Sequence, residues 1–167
     1  MPQLDLNSLA NEGYQWCEVE YNSLYIYRRK GISLGIHDTF RFGSHAMIFN
    51  AENKVLLLKR TYGNKGWSLP GGGVDPGETI HQALFRECRE ELGIDVIDPV
   101  LTGIYYHSKI NTQAAIFRCN ISDDDKIVLS SEHSALRWVD LAELSESQQI
   151  RAEDAIHFQG QVYSRTF

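Results

Sequence analysis

With 167 residues, 43% of them hydrophobic, and a net charge of -6, the chain is sized for one domain with a sizeable core. Its acidic balance, with no basic run longer than Arg28-Arg29-Lys30, excludes a broad nucleic-acid surface but not a nucleotide-sized anion held through a metal. No apolar run approaches the ~18 residues of a membrane span, MPQLDLNSLANEG is too polar for a signal peptide, and Cys17, Cys88 and Cys119 lack CxxC spacing, so reduced thiols and a cytoplasmic setting are expected.

Residues 1–22 fit either a flexible arm or a short helix, an arm being a device by which two copies form a homodimer; one domain is expected over 23–167. SLYIYRRK (Ser23–Lys30) reads as a first strand. SHAMIFN (Ser44–Asn50) and KVLLLKR (Lys54–Arg60), separated by AEN, read as a hairpin. SLPGGGVDPGET (Ser68–Thr79) is a glycine-rich loop, followed by a helix over Ile80–Leu92. VIDPVLTGIYYH, TQAAIFRCN and ALRWVDL supply three more strands, and a last helix is expected over about Leu141–Phe158. Strands in runs, with one helix between and one after, give an α/β (α+β) chain with a mixed sheet flanked by helices.

The glycine loop raises the question of what it approaches. A phosphate-binding P-loop needs GxxxxGK[ST], but Gly77 is followed by Glu78-Thr79, which puts a carboxylate where the lysine belongs. GxGxxG also fits poorly, because Pro76 and Glu78 stand where a helix start should receive a pyrophosphate.

The following helix says more. Thr79 and Gln82 fit a capping box, and Gly93 fits the stop. At ~100° per residue, Leu84, Phe85, Cys88 and Leu92 form the packing face. Glu87, Glu90 and Glu91 form one acidic stripe beside it. Three carboxylates at the negative end of a helix cost roughly 0.3–1 kcal/mol each, and Glu87/Glu91 adds a like-charge i,i+4 pair. Two readings fit this stripe: a solvated face with Arg86 and Arg89 as counter-ions, or a site for a divalent cation with hard oxygen ligands, Mg2+ or Mn2+.

The stretch GGVDPGETIHQALFRECREELGI, Gly72 to Ile94, resembles the box of the Nudix hydrolases. That pattern is Gly, five residues, Glu, seven residues, then Arg-Glu-U-x-Glu-Glu-x-Gly-U, with U a bulky aliphatic. Gly72, Glu78, Arg86, Glu87, Glu90, Glu91, Gly93 and Ile94 all fall in place, and only Cys88, at the first U, departs. The resemblance implies an α/β/α sandwich with a catalytic loop–helix–loop. It further implies metal-dependent hydrolysis of the diphosphate bond in a nucleoside diphosphate linked to another moiety. Metal ligands would be Glu87, Glu90, Glu91 and the carbonyl of Gly71; Glu78 would orient the loop and Arg86 would pair with a box carboxylate.

Glu132, in SSEHSALRWV, is the outside candidate for general base, with His133 beside it, and Arg60 is a candidate phosphate contact. Trp67, Tyr62, Tyr105 and Tyr106 offer stacking faces, Trp138 reads as core, and His107 and Lys109 as candidates to face the cleft. No proline follows Pro99, and no tyrosine stands where a diadenosine polyphosphate hydrolase would have one, so (d)NTPs or NDP-sugars are the default substrates. The alternatives are an ADP-ribose or dinucleoside polyphosphate hydrolase, a non-catalytic nucleotide sensor, and an isomerase on the same scaffold.

Overall fold

Val55-Leu56-Leu57-Leu58 shows no polar alternation because this strand carries protein on both faces, as continuous apolar strands generally do. The structure is a computed structural model that describes residues 39–122 and 126–167 in full, and residues 14–17 and 26–29 as backbone. The chain divides into two compact units, 1–39 and 40–167. In the first, β1 (Tyr14–Cys17) pairs antiparallel with β2 (Ile26–Arg29), Tyr14 opposite Arg29. Residues 14–17 are thus a strand and not a helix; the rest of the expectation for 1–22 falls outside the described residues.

The second unit holds β3 (Arg41–Ile48), β4 (Val55–Arg60), β5 (Trp67–Ser68), β6 (Gly71–Gly73), α1 (Ile80–Leu92), β7 (Ile97–His107), β8 (Thr112–Asn120), β9 (His133–Val139), α2 (Glu146–Ile156) and β10 (Tyr163–Thr166). A mixed sheet runs β10-β7-β8-β3-β6, with β3 parallel to β8 and β10 parallel to β7. A second, antiparallel sheet runs β5-β4-β9. The expected hairpin between β3 and β4 is therefore overturned. Asn50 N–H donates to Lys54 O at 3.0 Å and Phe49 bridges Val55, but beyond that turn the strands join different sheets. The AEN turn is real; β8 and β9, far along the chain, win the pairing.

Alternate residues on each strand then serve two helices. Ala46, Ile48, Leu56, Leu58 and Phe117 pack with Leu84, Cys88 and Leu92 of α1. Met47, Val55, Leu57 and Ile116 pack with Ala152 and Ala155 of α2. This is the helix–sheet–helix sandwich expected from the sequence, and each fully buried leucine contributes roughly 1.5–3 kcal/mol. Cys88 is wholly buried in the first layer, and burial pushes its thiol far above the ordinary range, so it packs and does not react. Cys88→Val should therefore change stability by less than about 1.5 kcal/mol and leave turnover within about twofold. Thermal melts and a rate assay check both; a folded but inactive variant would refute the packing role.

The strand β10 was not legible in the sequence. It is held from α2: Arg165 Nε and Nη2 donate to the two oxygens of Asp154 at 2.8 and 2.7 Å, and the buried Tyr105 hydroxyl donates to Oδ2 at 2.9 Å. Arg165 first, then Tyr105, holds the Asp154 carboxyl below its ordinary 3.8. Such a group contributes stability above that value and loses it as pH falls through the lower folded value. Asp154→Asn should cost ~2 kcal/mol, or roughly 4–8 °C in Tm, at pH 7. The gap from wild type should shrink below about pH 3.8; a pH-independent gap would contradict this account.

Candidate active site

The loop and helix α1 meet around the box arginine. Thr79 accepts from Gln82 N–H at 3.2 Å while Gln82 Oε1 accepts from Thr79 N–H at 2.8 Å, so the capping box fixes the helix start. Gly93, at φ 71°, ends the helix with a left-handed cap. Arg86 Nε and Nη2 donate to Glu78 at 2.7 and 2.9 Å, a bidentate pair. Its Nη2 also donates to Gly73 O at 2.9 Å, and Nη1 to Glu87 Oε1 at 2.8 Å and Glu90 Oε2 at 3.2 Å. Glu78 in turn accepts from Asp75 N–H at 3.0 Å, tying the glycine loop to the helix. Hydrogen bonds from Arg86, then from Asp75, bring the Glu78 carboxyl down to about 2.

Two glycines have separate steric reasons. Gly71 has φ 128° and stands opposite His45 on β3, and a Cβ there would lie 2.2 Å from Ser44 O and 2.6 Å from His45 Cα. A Cβ on Gly72 would lie 2.5–2.7 Å from the Glu87 carboxylate. The loop thus gives up side chains in one place for β3 and in the next for a glutamate.

Glu87, Glu90, Glu91, Gly71, Gly72 and Glu132 line one cavity of about 400 Å³, together with Tyr62. Glu132 reaches it because its loop is pinned at both ends. Thr61 N–H donates to Glu132 O at 2.8 Å, and Ser130 N–H donates to Glu91 O at 3.3 Å. Glu91 is 5% exposed and accepts from Gly71 N–H at 2.7 Å. Burial above all, then Glu87, Glu132 and Glu90, pushes its carboxyl up to about 8 despite that bond. Burial also raises Glu87, with Arg86 opposing.

His133 does not enter the cavity. It lies buried behind Glu91, Nε2 3.6 Å from Oε1, and burial lowers its pKa, so it backs Glu91 as a neutral ring. Arg60 lies elsewhere too, donating to Asn64 Oδ1 at 2.9 Å and lining a second cavity with Trp67. Tyr105 is core, Trp138 packs against the α1 core, Tyr106 bonds Asn111, and His107 meets Arg151; Lys109 is exposed in a short 3-10 turn.

The donor set fits a hard divalent cation: carboxylate oxygens converge on glycine backbone, and their mutual repulsion calls for positive charge. Among the described residues no three such side chains have closed around one point. Arg86 Nη1 holds oxygens of both Glu87 and Glu90, which accounts for the open arrangement.

A NUDIX domain model matches residues 39–160. The chain belongs to the Nudix family. A MutT-like protein of Streptomyces ambofaciens is 34% identical over 100 residues, 60% of this chain and 64% of that one. An RNA pyrophosphohydrolase of Aeromonas hydrophila is 47% identical over 57 residues, 34% of this chain and 32% of that one. This chain therefore spans less than two thirds of the length of those relatives. Among solved structures, a MutT NUDIX hydrolase from Burkholderia pseudomallei has 29% identity and a TM-score of 0.60, covering 70% of this chain and 98% of that one. An ADP-ribose pyrophosphatase from Streptococcus suis has 22% identity and a TM-score of 0.62, covering 77% and 100%, which shows the Nudix fold alone. Among the described residues, no helix of this Nudix chain is long and apolar enough to cross a membrane.

Proposed function

We propose that the chain hydrolyses the diphosphate bond of a nucleoside diphosphate linked to another moiety, a small (d)NTP or NDP-sugar type of nucleotide, with Mg2+ or Mn2+. One observation carries the reading: four carboxylates and the glycine backbone of β6 line a single cavity. Glu87, Glu90 and Glu91, with the Gly71 carbonyl, would hold the cation. Bound there, it polarises phosphoryl oxygens and lowers the pKa of the attacking water.

The chain's own residues do the rest. Arg86 fixes the rotamers of Glu87 and Glu90 and ties them to the loop through Glu78. Gly72 leaves the Glu87 carboxylate room beside the backbone. Glu132, on the opposing pinned loop, accepts the proton of the attacking water as general base.

A release assay over the eight (d)NTPs, ADP-ribose, ADP-glucose, GDP-mannose and Ap4A tests this, with each metal and a Glu90→Gln control. Metal-dependent cleavage that falls at least ~100-fold in Glu90→Gln is expected, because the change removes a ligand from an exposed side chain and no packing. A flat panel from folded protein that still binds a nucleotide would replace hydrolysis with nucleotide sensing. Full activity in Glu90→Gln would remove Glu90 from the metal.

A further inference from the structure

Thr61, one residue past the end of β4, spends its polar groups on a single neighbouring loop. Its N–H donates to Glu132 O at 2.8 Å. Its hydroxyl has one hydrogen, shared between Ser131 O at 3.1 Å and Glu132 O at 3.0 Å. A carbonyl oxygen has two lone pairs, so Thr61 by itself occupies both acceptor positions of Glu132 O.

Thr61 is itself held firmly. The turn between β4 and β5 closes on its own bonds, Arg60 N–H donating to Gly66 O at 3.1 Å and Lys65 N–H to Tyr62 O at 3.0 Å. Asn64 Oδ1 accepts from Gly66 N–H at 3.1 Å and from Arg60 Nη2 at 2.9 Å. Opposite this turn, β9 enters with a bulge: Lys59 pairs with Ala135 but Arg60 with His133, so Ser134 has no partner on β4. Leu136 and Trp138 pack towards α1, and strict alternation would put Ser134 on that side. The bulge turns His133 there instead, behind Glu91, and delivers Glu132 to the wall of the acidic cavity.

Glu132 is exposed, and among the described residues nothing hydrogen-bonds or ion-pairs with its carboxylate. The aim of that carboxylate therefore comes from its backbone. Two neighbours hold the loop: Glu91 O accepts from Ser130 N–H at 3.3 Å, and Thr61 makes the bonds given above. Of the two, only Thr61 touches Glu132 itself. The threonine side chain is exposed, so the hydroxyl can be removed without opening the core.

We propose that Thr61 is a positioning residue whose hydroxyl holds the Glu132 carboxylate at the acidic cavity. The role of that carboxylate as general base rests on the function proposed above; the hold itself does not.

Thr61→Val keeps the shape and branching of the side chain and loses only the hydroxyl, whereas Thr61→Ser keeps the hydroxyl. Crystal structures of both variants in EDTA read the position of Glu132 without metal or substrate. Turnover with Mg2+, on the nucleotide the wild type cleaves, reads its consequence. In Thr61→Val the Glu132 carboxylate should stand ~1 Å or more from its wild-type place, and kcat should fall at least ~tenfold. KM should stay within about twofold and the melting temperature within about 2 °C. Thr61→Ser should restore both position and kcat. Added to Glu132→Gln, Thr61→Val should lower kcat no further, because the two act as one unit. The proposal is overturned if the carboxylate keeps its place in Thr61→Val, or if Thr61→Ser fails as Thr61→Val does. It is equally overturned if Thr61→Val keeps wild-type kcat while Glu132→Gln does not, or lowers kcat as much in Glu132→Gln as in wild type. Full turnover in Glu132→Gln, with the displacement in Thr61→Val intact, would refute the general base and leave the hold standing.

Discussion

Glu91→Gln should lower turnover at least ~100-fold while making the metal-free protein no less stable at pH 8. The two effects have one cause. Glu91 is buried, faces three other carboxylates, and has its carboxyl pushed up to about 8 from an ordinary 4.5. A carboxyl raised in the folded state leaves stability intact below about 4.5, and that stability is lost as pH climbs towards 8. In EDTA the wild type should therefore melt at falling temperatures across that window, and Glu91→Gln should lack the slope. The glutamine keeps an acceptor for the Gly71 amide, so the loop is not released. Excess Mg2+ should restore the wild type and leave the variant unmoved. Melting curves at pH 5 and 8, with EDTA or Mg2+, read all of this. A variant with the same slope as wild type would show that Glu91 is not the group whose charge strains the site.

Two adjacent glycines should fail in different ways. Gly71→Ala forces a Cβ against the backbone of Ser44 and His45 and demands φ 128° of an alanine. Backbone atoms of a paired strand cannot step aside, so about 3 kcal/mol or more should be lost from strain and overpacking together. Gly72→Ala instead meets the Glu87 carboxylate, the far end of a flexible side chain. That protein should keep its stability within about 1 kcal/mol, since surface-level adjustments cost little. It should lose roughly tenfold or more in rate as Glu87 is pushed off its position. Denaturant melts and turnover numbers on the two variants separate the cases. Equal stability losses would mean that the loop is a single steric unit and that Gly72 serves the fold.

How much of the fold and site is legible in the sequence depends on how local the determinant is. Helix α1 is legible in the sequence because its cap, Thr79, its apolar face and its glycine stop, Gly93, all lie close together in the chain. The acidic stripe was legible for the same reason, since helical periodicity alone puts Glu87, Glu90 and Glu91 together. The partnership of β3 with β8 was not, since nothing in SHAMIFN specifies a parallel neighbour about seventy residues on. Short strands β5 and β6 hid inside a glycine-rich loop, and β10 hid in a polar tail whose anchor, Asp154, lies on another element. The second cavity escapes sequence reading because its lining residues come from four separate stretches of chain. A signal exists in part: Ser44 and His45 break into the apolar run of β3, and Arg151 interrupts the buried face of α2.

Whether the acidic cavity holds the cation is read from Mn2+ uptake, followed by the loss of the free-ion electron paramagnetic resonance signal with a non-hydrolysable nucleotide present. Wild-type protein should take up Mn2+ in stoichiometric amounts, and Glu91→Gln should bind it at least tenfold more weakly while remaining folded. Equal uptake by the two proteins would contradict the assignment of the cation to the acidic cavity.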